Sequence, residues 1–214
     1  MSDQENWSKL ASKFPYYAVL TDPENKNGPN EDFWDSGVRT VDTIVSDLER
    51  YGVKLSECSV SELGVGVGRL ASVMSQKCKS IIGLDISPVM LAVCQDHFPD
   101  MKTRYAPPPY PRVDVMYSCI TLQHIKPEDA KWLIKEMIAA SSEAVWFQIC
   151  EANPDPVEHN SDEMHIPMYG VNSCCIKLLA EAMGWVVAAK IEDDFATPDL
   201  KSYHYVLIPI SKYF

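Results

Sequence analysis

The segment Ser61-Glu62-Leu63-Gly64-Val65-Gly66-Val67-Gly68-Arg69-Leu70 sets three glycines at alternate positions. Glycine reaches backbone conformations closed to other residues and carries no Cβ. Such a turn therefore bends sharply, brings N–H groups against a ligand, and aims the next helix N-terminus at it. The spacing does not fit a dinucleotide fingerprint, whose third glycine falls at Arg69, and the Gly-Lys-Ser/Thr ending of a phosphate-binding P-loop is missing. By itself the pattern is equally compatible with a structural tight turn. Asp85 then ends the apolar run Ile81-Ile82-Gly83-Leu84, at about the 20-residue distance where adenosine-binding α/β folds hold an acidic residue. A carboxylate at that strand end accepts hydrogen bonds from both hydroxyls of a ribose. The alternative for Asp85 is a cap on the next helix.

These residues need strand-to-helix turns to position them, and the chain supplies an alternation. Strands are predicted at Ser59 to Leu63, Ser80 to Asp85, Lys102 to Ala106, Val113 to Cys119 and Ala144 to Cys150. Helices are predicted at Gly37 to Tyr51, Gly68 to Lys77, Pro88 to Asp96 and Lys126 to Ser141, the last with Pro127, Glu128 and Asp129 in its first turn. Strands separated by helical stretches imply parallel pairing with right-handed crossovers. The Pro107 to Pro111 run reads as a stiff connector in place of one crossover helix. A loop from Glu151 to Gly170 and a helix from Asn172 to Met183 follow. Trp185 to Ile191 and Ser202 to Pro209 are then β-rich with no helix between them. The expectation is an α/β, Rossmann-like, seven-stranded mixed sheet with helices on both faces, ending in a C-terminal antiparallel hairpin whose last strand lies beside the fifth. Residues 1–36 read as an N-terminal lid or arm, broken by Pro15, Pro23, Gly28 and Pro29 into a short helix and loops, and residues 37–214 as the main domain.

Composition narrows the partners. The 214 residues are 46% hydrophobic and 23% charged, enough for one domain with a sizeable core. Thirty acidic residues against 19 basic ones give a formal net charge of -11, which repels phosphate backbones and anionic lipid, so neither nucleic acid nor a membrane is expected as partner. The seven cysteines show no CxxC pair and no zinc spacing, and read as reduced and mostly buried; no metal is expected. The opening MSDQENWSKL lacks a basic end and an apolar run. With free thiols, that points to a cytoplasmic protein. The oligomeric state, monomer or homodimer, is left open.

At the residues quoted above the sequence resembles the class I S-adenosylmethionine-dependent methyltransferases, from about Glu31 to Pro209. ELGVGVGRL is similar to their first motif, GLDISPVML to the acidic strand end with its helix, and VDVMYSCITLQHI to the fourth strand and the loop after it. The resemblance implies S-adenosylmethionine as cofactor. It implies that Gly64, Gly66 and Gly68 pass beneath the cofactor, Glu62 orients its amino-acid end, Asp85 holds the ribose, Ile86 covers the adenine and Ser118 approaches the methionine moiety. One departure is that no acidic residue follows the third strand, where Tyr105-Ala106-Pro107 stands.

Around the acceptor, His124 in LQHI and His165 are the candidate catalytic bases, with a structural histidine as the alternative for His124. His159 and Asp162 share the loop of His165 at irregular spacing and read as solvated loop residues. Tyr16, Tyr17, Trp34 and Tyr169 are candidate substrate contacts, the first three as part of a lid or else docked on the domain's own surface. The expected activity is methyl transfer to a small-molecule acceptor. A peptide or protein acceptor, or a cofactor-binding subunit without turnover, are the alternatives.

Overall fold

Asn30 shows how local chemistry starts an element: its side-chain oxygen accepts a hydrogen bond from Phe33 N at 2.8 Å, and Glu31 and Asp32 place negative charge in the first turn that follows. In the computed structural model, which describes residues 3–105, 107–152, 157–161, 164–196 and 200–212, a helix therefore begins six residues before the predicted Gly37. The chain divides into two units, Met1–Asp47 with Lys54–Pro107, and Leu48–Val53 with Pro108–Phe214.

The first unit contains helices α1 (Asp3–Lys13), α2 (Pro15–Val19) and α3 (Glu31–Glu49), so the arm holds more helix than expected. Strands β1 (Ser59–Leu63) and β2 (Ser80–Asp85) keep their predicted bounds. They pair in parallel from Ser59↔Ser80 to Leu63↔Leu84, and β3 (Lys102–Tyr105) lies parallel to β2 on its other side. Helix α4 (Ala71–Met74) is shorter than the predicted Gly68 to Lys77. Gly68 has φ +90, outside the helical range. Ser72 within the helix and Ser75 at its C-cap turn their hydroxyls back onto Arg69 O and Ser72 O, a local bonding pattern that competes with helix propagation. Helix α5 (Pro88–His97) starts with Pro88 at its first position and Ser87 as N-cap, whose Oγ accepts from Met90 N at 3.3 Å. Val65, Ala71 and Cys94 form a core cluster here with Ile81, Leu91, Phe98 and Met101.

The second unit contains β4 (Val113–Ser118), α6 (Pro127–Ala140), β5 (Ser141–Cys150), β6 (Val157–Ser161), β7 (Met164–Met168), α7 (Ser173–Ala182), β8 (Trp185–Asp193) and β9 (Ser202–Pro209). Strand β5 is buried without interruption from Ala144 to Cys150, as a strand covered on both faces must be. It runs parallel to β4 and antiparallel to β9, which pairs antiparallel with β8. The whole sheet has seven strands in the order β3-β2-β1-β4-β5-β9-β8, a Rossmann-like mixed sheet, so the last strand does lie antiparallel beside the fifth. The predicted Glu151 to Gly170 loop is corrected: β6 and β7 pair antiparallel within it, from Val157↔Met168 to Ser161↔Met164. Alternation there is weak and Pro167 interrupts it, which hid the hairpin. Met168 anchors its base in a cluster with Cys150 and Leu200.

Gly83, inside β2, marks a close approach. A Cβ there would lie 2.7 Å from Val65 Cγ2 and 3.0 Å from Val65 Cβ, and valine has no flexible end to yield. Gly83→Ala should destabilise the protein by about 1–3 kcal/mol through overpacking. The check is urea denaturation, where the midpoint should fall at unchanged slope; an unmoved midpoint contradicts the packing.

Candidate functional site

In the first unit the glycine segment folds over the end of β2. Gly64 N and Val65 N both donate to Leu84 O, at 2.8 and 2.9 Å, and Gly66 N donates to Asp85 Oδ2 at 2.9 Å. Gly64 has φ +82 and Gly66 φ +53, so a side chain at either would be strained. Asp85 Oδ1 accepts from Ser87 N at 2.8 Å. Burial raises the Asp85 pKa, against the opposing pull of hydrogen bonds from the Ser87, Gly66 and Ile86 backbone. With one of these backbone bonds on each carboxylate oxygen, each keeps acceptor capacity, which suits a pair of vicinal hydroxyls. Glu62 lies buried near the end of β1, and Ile86 is half-buried beside Asp85. Gly68 has a packing role. A Cβ there would meet Cys94 Sγ and the Phe98 ring, each at 2.9 Å.

The arm lies on these same parts. Ser8 Oγ is 3.1 Å from Ser87 Oγ, and Val19 Cγ2 is 3.0 Å from where a Gly66 Cβ would stand. The candidate substrate aromatics pack on the protein itself. The Tyr16 hydroxyl hydrogen-bonds His97 Nε2, and the Trp34 ring meets His97 and Phe98 edge-on at 5.9 Å from each. Tyr17 is buried in the arm, edge-on to Phe14 and 5.0 Å from Lys26 Nζ.

In the second unit Ser118 ends β4 and is fully buried. Two residues on, Ile120 holds φ +58, a left-handed conformation that costs a β-branched residue about 1–3 kcal/mol. A polar network surrounds it. Ile120 N donates to Gln148 Oε1 at 3.0 Å, and Gln148 Nε2 donates to Gln123 Oε1 at 2.8 Å and Ser202 Oγ at 2.6 Å. Gln123 Nε2 lies 3.3 Å from Nε2 of His124, which closes the 3-10 turn Leu122–His124. Tyr169 N donates to Gln123 O at 2.7 Å, bringing the base of the β6–β7 hairpin to this turn. His165 stands in β7 opposite Asn160, and His159 in β6 opposite Ile166, while Asp162 lies outside the described residues.

Sequence reasoning passed over Gln148 and Gln123. The available signal was Gln148 as the one amide in the apolar run Ala144 to Cys150. It also missed the group around Glu151, whose Oε1 accepts from Ser173 N at 2.9 Å and whose Oε2 takes Lys190 Nζ at 2.6 Å and the Ser173 hydroxyl. Burial acts to raise the Glu151 pKa, but the Lys190 and Ser173 bonds and the Lys190 charge prevail and lower it. Lys190 Nζ also sits 3.8 Å over the Tyr203 ring. Among the described residues no group of three or more His, Cys, Asp and Glu is placed to hold a metal, and no helix is long and apolar enough to cross a membrane. Four of the seven cysteines are buried, as expected, and burial lifts the Cys94 and Cys150 thiols to about 12, whereas Cys174 and Cys175 on α7 are exposed.

Residues 60–142 match the family model described as a methyltransferase domain. No curated protein matches the chain. Among solved structures it is similar to the magnesium protoporphyrin IX methyltransferase ChlM of Synechocystis PCC 6803 with bound S-adenosylhomocysteine, at 16% identity and TM-score 0.71, covering 97% of this chain and 100% of that one. It is also similar to an S-adenosylmethionine-dependent methyltransferase from Clostridium acetobutylicum ATCC 824, at 13% identity and TM-score 0.65 over 95% and 99% of the two chains. The DhpI complex with S-adenosylhomocysteine matches at 18% identity and TM-score 0.63, over 96% and 94%. These likenesses establish the fold.

Asp85 makes stability depend on pH. Its folded pKa lies above its unfolded one, so folding takes up a proton between the two. The contribution of the protonated carboxyl is complete below the ordinary aspartate value of about 4 and is lost as pH rises through the folded value. The wild type should therefore lose stability relative to Asp85→Asn between acidic and neutral pH. Urea denaturation of both proteins at a series of pH values measures this; a constant difference contradicts a raised pKa.

Proposed function

We propose that the chain is a class I methyltransferase, which transfers a methyl group from S-adenosylmethionine to a small-molecule acceptor. The observation that carries this reading is the glycine turn folded over Asp85, with both carboxylate oxygens fixed by backbone N–H groups and still able to accept. When bound, S-adenosylmethionine would supply an electrophilic methyl group, which the acceptor takes in line as the carbon–sulfur bond breaks and S-adenosylhomocysteine leaves as a neutral thioether. Asp85 takes the ribose hydroxyls, the Gly64 and Gly66 backbone gives close approach, and Glu62 orients the amino-acid end. Ile86 covers the adenine, and Ser118 faces the methionine moiety. The protein's main task is then to align the reactants and exclude water.

A small acceptor is supported by the similar structures, one of which is by name a methyltransferase of magnesium protoporphyrin IX. His124 or His165 removes the proton if the acceptor is a hydroxyl or an ammonium. Tyr169 contributes to the acceptor's enclosure. Tyr16, Tyr17 and Trp34 do so through the arm, whose packing on α5 makes them supports of the site's wall.

Asp85→Ala should weaken S-adenosylmethionine binding by about 1.5–3 kcal/mol, the worth of hydrogen bonds to a charged group, in a protein that stays folded. Isothermal calorimetry decides it, and unchanged affinity in the folded variant removes Asp85 from the cofactor site. With an acceptor found by a metabolite methylation screen, the rate should rise with pH through the histidine range near 6.5. His124→Gln or His165→Gln, whichever removes the base, should then lower turnover by about 10²- to 10⁴-fold at little change in cofactor affinity. Near-normal rates in both variants leave alignment as the whole of the catalysis.

A further inference from the structure

Beside β5, a line of side-chain amides runs from the backbone of Ile120 to the ring of His124. We infer that this line, Ile120 N–H to Gln148 to Gln123 to His124, holds His124 as a neutral imidazole with its proton on Nδ1, and that Gln148 and Gln123 are positioning residues for that ring.

The direction of each bond follows from its anchor. A backbone N–H only donates, so the Gln148 atom 3.0 Å from Ile120 N is the carbonyl oxygen. The other end of Gln148 is then its NH₂, whose two hydrogens go to Gln123 at 2.8 Å and Ser202 Oγ at 2.6 Å. The Gln123 atom facing it must accept, so it is Oε1, and the Cys150 thiol 3.8 Å from the same oxygen also arrives as a donor. That leaves the Gln123 NH₂ toward His124 Nε2, at 3.3 Å. A ring nitrogen facing a donor must present its lone pair, so the neutral imidazole carries its hydrogen on Nδ1.

Gln123, Gln148 and Ser202 are each 2% exposed or less, so water cannot readily replace a reversed amide. Both ends are also fixed by backbone. Ile120 is held at φ +58, and Gln123 O accepts from Tyr169 N at 2.7 Å. A proton arriving at His124 Nε2 would set N–H against N–H and disrupt the line back to Ile120. Of the two histidines considered as bases, His124 is therefore the poorer, and its part is that of a neutral, oriented ring. This last consequence rests on the methyl-transfer reading; the tautomer does not.

Nitrogen-15 NMR of the histidine rings, on the full chain at neutral pH with neither cofactor nor acceptor, tests it. The wild type should show His124 with Nδ1 protonated and Nε2 bare. In Gln148→Glu, one carboxylate oxygen still accepts from Ile120 N, and the other demands a donor from Gln123. The Gln123 amide turns over, its oxygen meets His124, and Nε2 should become protonated. Gln123→Glu should produce the same reversal by presenting a carboxylate oxygen to the ring, and serves if the first variant does not fold. A wild-type signal with Nε2 protonated, or a folded variant whose Nε2 stays bare, would overturn the inference. Because no turnover is measured, failure here is separate from failure of the proposed reaction.

Discussion

A carboxylate drawn out of water must either be protonated or be surrounded by donors, and the half-buried Asp85 meets that demand with backbone. Its two oxygens are held by Gly66 N and Ser87 N, one from the glycine turn and one from the start of α5. The same group therefore joins three neighbouring pieces of the first unit: the turn after β1, the end of β2 and the cap of the next helix. Gly83 serves the arrangement from below by leaving room for Val65, the residue that precedes Gly66. A group held against its own burial in this way sacrifices stability for a preorganised acceptor, the common trade at functional sites.

The second unit uses neutral amides to the same end. Gln148 is directional, because a carboxamide has one accepting and one donating end, and an anchored backbone N–H sets the order of every bond that follows. The strained Ile120 is tied into this line by its own N–H, so an unfavourable backbone conformation and a buried polar group stabilise each other. Nearby, Glu151, just past the end of β5, takes the Lys190 ammonium and the Ser173 N–H at the start of α7. Lys190 and Glu151 are both partly screened by solvent, so that pair contributes less to stability than its short distance suggests.

Elements whose signal is local were legible from sequence. Strands β1, β2 and β9 appeared at their predicted bounds: β2 carries the apolar run Ile81 to Leu84, β9 the run Tyr205 to Ile208, and β1 leads straight into the glycine turn. The glycine turn and Asp85 were legible by type and spacing. The early start of α3 was present in Asn30-Glu31-Asp32 but was obscured by the proline- and glycine-rich stretch before it. The length of α4 depended on serine hydroxyls choosing backbone partners, and the β6–β7 hairpin has too little alternation to announce itself. Gln123 and Gln148 lay out of reach for another reason: they are 25 residues apart, and nothing local says that they meet. The same holds for the arm aromatics, whose partner is His97 and its neighbour Phe98.

The packing of Cys94 gives the molecule a clock. Its sulfur fills the space that a side chain at Gly68 would need, and its thiol is held neutral by burial, so reagents in water reach it when the first unit opens. Cys174 and Cys175, exposed on α7, face no such barrier and should be alkylated first. Read at Cys94 itself, apart from the likewise buried Cys58, Cys119 and Cys150, the slow reaction thus records how often the wall behind the glycine turn comes apart.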